Sequence, residues 1–283
     1  MRKPKSIILG IIYRIAVRLP PRFGALLINR TLNGDTLDYL EFHLADHCNL
    51  NCAGCFHFSP FADHHLADLK SVRRDFAALK TKFRNIRHIR IMGGEPFLHP
   101  QLVEFARVVR STFPCSRIRV VTNGVLISYK EHKEELRELA ELGVGIDWTK
   151  YPPLADKEPQ IAALCREAGI HLRISENNAF MARLLPKGGE GPLKSFRWCR
   201  EHMYCPILKE GRIYLCAQTC YAEYYNRVAG VKMFADRGIE LASASGREIL
   251  EYLMHPSLAC THCAASARIF PWKPCSGPED WVL

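Results

Sequence analysis

Cys48, Cys52 and Cys55 lie in the run His47-Cys48-Asn49-Leu50-Asn51-Cys52-Ala53-Gly54-Cys55-Phe56, a C-x3-C-x2-C spacing directly after an apolar, strand-like stretch. Three thiolates leave one iron of a four-iron cubane without a protein ligand, and that iron is open to a small chelating molecule. Four thiolates would instead close the cluster and suit electron transfer, so the triad reads as a site for chemistry. Zinc is the competing reading, because Cys-rich loops commonly bind it. Zinc spacing normally opens with C-x2-C or C-x4-C and is completed by a second pair, which here would have to recruit His57, His64 or His65.

A second group of thiols sits towards the C-terminus. Cys205 and Cys216 have ten residues between them, Gly211 among these, and Cys260-x2-Cys263 follows after a further 43 residues. Four such thiolates can close another cluster, and a structural zinc on Cys205, Cys216, Cys260 and Cys263 is the alternative. Lys209-Glu210-Gly211-Arg212 reads as a hairpin turn between Pro206-Ile207-Leu208 and Ile213-Tyr214-Leu215. Cys199, Cys220 and Cys275 compete as ligands or stand free as hydrogen donors.

The elements that must position these groups follow from periodicity. Strands are predicted at 37–44, 86–92, 118–122, 144–149 and 170–174, and helices at 68–83, 101–112, 130–141 and 158–168. This alternation implies an α/β fold with a parallel sheet, whose functional groups occupy the loops after the strands. Gly93-Gly94-Glu95-Pro96 ends the second strand and Thr122-Asn123-Gly124 the third. Lys150 and Tyr151 leave the fourth and Glu176 the fifth, as candidate substrate-facing groups. Turn and helix-cap roles are the competing explanation for the polar residues at these ends.

This combination of motifs resembles the radical S-adenosylmethionine superfamily over roughly residues 38–283. The resemblance implies a partial (β/α)6 barrel in which Cys48, Cys52 and Cys55 hold the open-iron 4Fe-4S cluster, whose free iron takes S-adenosylmethionine. It implies that Gly93, Gly94, Glu95 and Pro96 meet the methionine amino group, and that Thr122 and Asn123 meet the ribose or carboxylate. Family members usually carry an aromatic residue before the third cysteine; here Gly54 stands there, and Phe56 is the candidate to replace it. Cys205, Cys216, Cys260 and Cys263 resemble a twitch/SPASM-like module holding an auxiliary 4Fe-4S cluster.

The domains implied are 1–36, a basic amphipathic segment; 37–195, the barrel; and 196–283, the auxiliary module. The activity implied is that of an oxidoreductase that cleaves S-adenosylmethionine reductively, with an electron from a flavodoxin- or ferredoxin-type donor. The resulting 5′-deoxyadenosyl radical takes hydrogen from a substrate. Dehydrogenation or another oxidation fits an electron-accepting auxiliary cluster, whereas epimerisation would need a hydrogen donor. A carbohydrate-like substrate is expected, because the run 55–63 and the tail from 245 resemble members associated with surface-glycan loci. A peptide maturase is the runner-up, although no N-terminal peptide-binding module is recognisable. A non-catalytic iron-sulfur or zinc protein is the reading from another class.

Composition sets the outer limits. The 283 residues, 48% hydrophobic and 24% charged, can bury one large core with a small appendage. Twelve cysteines grouped as ligand sets point to a reducing, cytoplasmic compartment. The net charge of +10 suits an anionic substrate or an anionic membrane face. Nucleic acid is not expected, since the basic residues are scattered without aromatic recognition motifs. Residues 7, 8, 11, 12, 15 and 19 make an apolar stripe interrupted by Arg14 and Arg18, too short and too charged to span a bilayer. Packing on the domain is the favoured expectation for that stripe, and peripheral contact with a membrane is the alternative.

Overall fold

The computed structural model describes residues 11–12, 14–16, 18–31, 35–128, 132–189, 191–203, 205–233 and 236–283. Five strands, β1 (Thr36–Ala45), β2 (Asn85–Gly93), β3 (Arg117–Thr122), β4 (Gly145–Lys150) and β5 (Leu172–Glu176), pair in parallel in the spatial order 5-4-3-2-1. Helix α1 (Pro21–Thr31) precedes the sheet. Helices α2 (Leu69–Lys82), α3 (Leu102–Thr112), α4 (Lys133–Glu141) and α5 (Glu158–Glu167) make the crossovers that parallel pairing requires. Strand bounds fall within two residues of expectation; position 130, the expected start of α4, lies outside the described residues.

Each crossover helix shows why it forms. In α2, Val72, Asp75, Phe76 and Leu79 are buried at helical spacing, and the Asp68 carboxylate caps the first turn by accepting from the Ser71 N–H at 2.7 Å. Period-two alternation does the same work in β1. Leu40, Phe42 and Leu44 enter the main core, where the Phe42 ring meets Phe76 edge-on at 5.4 Å. The intervening Tyr39, Glu41 and His43 face the other way, and their polar groups must be satisfied inside the protein.

After β5 the chain departs from a sixth β/α repeat. Strand β6 (Ala179–Leu184) leaves the sheet and pairs antiparallel with β10 (Cys263–Pro271). The sixth parallel strand is β7 (Ile207–Lys209), which follows α6 (Pro192–His202) and lies beside β1. The expected turn follows it, with Glu210 and Gly211 at φ 49° and 75°, the paired positive values of a type I′ hairpin. Strand β8 (Arg212–Tyr214) completes that hairpin, and β9 (Ile239–Glu240) extends the edge. Helices α7 (Ala217–Cys220), α8 (Ala222–Ala229) and α9 (Gly246–Leu253) lie between β8 and β10 along the chain. The segments on either side of position 195 therefore interleave, β7 joining the sheet of β1 and β10 joining β6.

At the N-terminus the apolar stripe divides. Ala16 is buried and Ile12 packs against the core, while Ile11, Ile15 and Leu19 are exposed, as are Phe23 and Leu26 of α1. Stripe positions 7 and 8 lie outside the described residues. No described helix is long and apolar enough to cross a membrane.

Candidate cluster and cofactor sites

The loop after β1 carries Cys48, Cys52 and Cys55 to the wall of one cavity of about 110 Å³ at the carboxyl ends of the strands. Thr122, Asn123 and Tyr151 share that wall. Burial pushes the Cys52 thiol up to about 12 and raises Cys48 and Cys55 as well. These thiols are protonated at neutral pH, so a metal centre binding here displaces protons. Donors already aim at the sulfurs. The Trp272 indole N–H donates to Cys52 Sγ at 3.1 Å, and the Leu50 backbone N–H and Asn123 Nδ2 each reach Cys48 Sγ at 3.4 Å. Converging thiols met by N–H groups are the donor set of an iron-sulfur site, and the residues present fit one.

Gly54 has a positional reason. Its φ is +70°, and a Cβ there would stand 2.8 Å from Phe270 Cζ. The β6–β10 ribbon occupies the space that an aromatic side chain at this position would need. Phe180, from β6, lines the cavity and stacks with Tyr151 at 5.7 Å. Phe56, the expected substitute, instead lines a second, larger cavity.

The Gly93-Gly94-Glu95-Pro96 turn packs tightly against the cysteine loop. A Cβ on Gly93 would run into the Ala45 carbonyl and one on Gly94 into the His47 carbonyl. The Gly94 N–H donates to Ala45 O at 2.7 Å and the Glu95 N–H to His47 O at 3.2 Å. In this arrangement the glycines allow β2 to approach the cysteine loop, and both also line the cavity. Glu95 is fully buried and acts as a strap between strand ends. Its carboxylate accepts from Thr122 Oγ1 at 2.7 Å, from the Asn123 N–H at 2.9 Å and from the Phe97 N–H at 3.1 Å. Desolvation still pushes its pKa up to about 7. Pro96 opens the short 3-10 turn that follows and is itself buried. Asn123 is held on three sides: its Nδ2 donates to Asn49 Oδ1 at 2.7 Å, its Oδ1 accepts from the Val125 N–H, and its backbone carbonyl accepts from Trp148 Nε1.

The three substrate candidates separate. Tyr151 faces the cavity, and burial raises its pKa. Lys150 and Glu176 pair with each other at 2.7 Å, Lys150 also reaching Glu158 at 2.8 Å, and neither is among the residues walling the cavity. Their neighbouring strands explain this, because Lys150 and Glu176 are register partners in the β4–β5 ladder.

The second cavity, about 350 Å³, is lined by Cys205, Cys216, Cys260 and Cys263, as the spacing predicts, and by Cys199. Charge on Cys199 raises the pKa of each of the other four thiols, which places it among them all. It enters from α6, a helix with no other cysteine, and is one of the three thiols that the spacing left as competitors. Cys220 and Cys275 do not line this cavity. His57 and Met92 wall both cavities and form the partition between them. Burial holds the His57 pKa down to about 3, so the ring is neutral.

Part of the chain is similar to known proteins. Residues 43–176 match the model of the Radical SAM superfamily. GTP 3′,8-cyclase of Chlorobaculum tepidum is 31% identical over 111 residues, 39% of this chain and 32% of the cyclase. GTP 3′,8-cyclase of Microcystis aeruginosa is 34% identical over 94 residues, 32% of this chain and 29% of its own length. The matches thus span about a third of those curated relatives. Among solved structures, BtrN in complex with AdoMet and 2-DOIA superposes with a TM-score of 0.45 at 14% identity, covering 77% of this chain and 87% of BtrN. Streptococcus suis SuiB bound to precursor peptide SuiA gives 0.44 at 10% identity, covering 83% and 69%. Residues 43–176, the stretch that matches the Radical SAM superfamily, contain all three cysteines of the loop after β1.

Proposed function

We propose that this chain is an oxidoreductase that cleaves S-adenosylmethionine reductively at Cys48, Cys52 and Cys55 and oxidises a carbohydrate-like substrate lodged between two cysteine sites. The observation that carries the reading is the shared partition: His57 and Met92 stand between a three-thiol cavity and a five-thiol cavity. When bound, an open-iron cluster with S-adenosylmethionine supplies hydrogen abstraction from an unactivated carbon. The chain's own residues bind and orient. Gly93, Gly94, Thr122 and Asn123 border the cofactor space, and Tyr151 with Phe180 closes it against water. Lys150 and Glu176 brace the strand ends beside Tyr151.

In the larger cavity Cys199, Cys216, Cys260 and Cys263 bear on one another electrostatically, and Cys205 feels Glu41 first, with Cys216 and Cys199 after it. We assign the first four as ligands of an auxiliary 4Fe-4S cluster, replacing Cys205 by Cys199 in the set expected from spacing. Arg90 and Arg200 put positive charge on the same wall, which suits an anionic sugar derivative. The net charge of +10 likewise suits an acidic flavodoxin- or ferredoxin-type reductant. Exposed Ile11, Ile15, Leu19 and Phe23 beside Arg14 and Arg18 support peripheral contact with an anionic membrane.

Anaerobic reconstitution with iron and sulfide tests the reading. About eight irons per chain, falling to about four in a Cys48/Cys52/Cys55→Ala variant, are expected, together with an EPR signal that S-adenosylmethionine perturbs and release of 5′-deoxyadenosine. Binding of S-adenosylmethionine without cleavage would instead favour a non-catalytic protein. About four irons in the unaltered chain and none in the variant would remove the auxiliary cluster and the argument for net oxidation.

A further inference from the structure

The alternation in β1 brings two ionisable side chains to its inward face, Glu41 and His43, and the loop folds His57 back onto them. One ligand atom from each lies within 4.8 Å of the others. Glu41 Oε2 and His43 Nε2 are 3.6 Å apart, and the His43 and His57 ring centroids are 4.7 Å apart. Tetrahedral zinc bonds of about 2.0–2.2 Å put donor atoms roughly 3.3 Å apart, so Glu41 and His43 stand near that spacing already and the set must draw in by at most about 1.5 Å.

The surroundings are those of held ligands. His43 Nδ1 meets the Tyr221 hydroxyl at 2.7 Å, and the two rings stack nearly parallel, 4° apart, which fixes the imidazole with Nε2 turned towards Glu41. The Tyr39 hydroxyl donates to Glu41 Oε1 at 2.6 Å, leaving Oε2 on the His43 side. His43 is only 5% exposed, yet its Nε2 makes no hydrogen bond. A buried ring nitrogen with its partner tied and its own lone site unused is costly unless something binds it. The competing cation is Arg90, which lies over the Tyr39 ring at 5.5 Å.

From this juxtaposition we propose that Glu41, His43 and His57 form a mononuclear site for a divalent transition-metal ion, distinct in its ligands from the two sets of cysteines and lying between them, with His57 Nδ1 4.0 Å from Cys55 Sγ. Two imidazoles and one carboxylate favour Zn²⁺ or Fe²⁺ over hard cations such as Mg²⁺. Glu41 and His57 both line the larger cavity, so a fourth coordination position opens towards it. That position would take an oxygen of a hydroxyl or carboxylate group on the substrate and hold it as a Lewis acid does.

The test uses the full chain after iron-sulfur reconstitution, dialysed against Zn²⁺, with iron and zinc counted separately and the zinc K-edge absorption recorded. About one zinc per chain is expected, with only nitrogen and oxygen scatterers and two imidazoles in its first shell. His43→Gln and His57→Gln should each lose that zinc with iron content unchanged. No retained zinc, sulfur in its first shell, or zinc surviving in both variants would overturn the proposal. If a variant loses iron as well, it has lost its fold, and the spectrum of the unaltered chain decides alone. The two counts are independent, so failure of the cluster reading shows in iron and failure of this site shows in zinc.

Discussion

The Trp272 indole donates to Cys52 Sγ at 3.1 Å, tying the end of the β6–β10 ribbon to the loop after β1. The same ribbon sets Phe180 and Phe270 against Gly54, and Phe180 lines the candidate cluster site. Trp272→Phe keeps an aromatic ring there and removes the N–H. It should cost about 0.5–1.5 kcal/mol in the iron-free protein, read by denaturant titration. In the reconstituted protein the loop cluster should titrate at a more negative potential, because a donor to a ligating sulfur stabilises the reduced state. An unchanged potential would show that this contact is only structural.

Gly54→Ala should be poorly tolerated. The backbone there is left-handed, at a cost of roughly 1–2 kcal/mol for an L-residue, and the new methyl also meets Phe270. A drop of about 1–3 kcal/mol in stability is expected. Adding Phe270→Ala should not restore it fully, because the second change removes the clash and leaves the φ penalty. Full recovery in the double variant would refute the backbone argument.

Glu95 sets a pH dependence whose sign is opposite to that of a surface carboxylate. Burial raises its pKa from 4.5 to about 7, so between those values the folded chain holds a proton that the unfolded chain has released. Stability therefore falls as pH rises through that window and levels off above about 7, by a total on the order of 3 kcal/mol. Other groups titrate in the same range, so the quantity to measure is the difference between the unaltered iron-free chain and Glu95→Gln. That difference should narrow as pH rises from 4.5 to 7; a constant difference would contradict the assignment.

Cys199 and Cys205 should behave differently in the larger cavity. Cys199→Ala is expected to lower reconstituted iron from about eight to about four per chain, as Cys216→Ala should, while Cys205→Ala leaves it near eight. The reverse result would return Cys205 to the ligand set expected from spacing.

The N-terminal stripe makes its own prediction. The chain should sediment with vesicles containing anionic lipid and not with neutral ones, and Ile11→Ser/Ile15→Ser should reduce binding at least several-fold. Equal recovery with both vesicle types would dismiss the membrane contact.

The sequence by itself determined what local spacing encodes. The three cysteines of the loop, the strands and helices from β1 to β5 and the turn at Glu210-Gly211 are short-range patterns, since side-chain direction repeats every two or 3.6 residues and turn chemistry is local. Only the tertiary structure decided which distant groups meet. It brought Cys199 from α6 into the cavity of Cys216 and Cys263, set Phe180 and Phe270 where Gly54 lacks a side chain, and buried Glu95 as a strap between strand ends. It also led the chain out of the repeat after β5, because β6 pairs with β10 from the far end of the molecule. Glu41 and His43 sat in view as the polar half of an alternating strand, yet their meeting with His57 depends on how a loop folds back, and no periodicity records that.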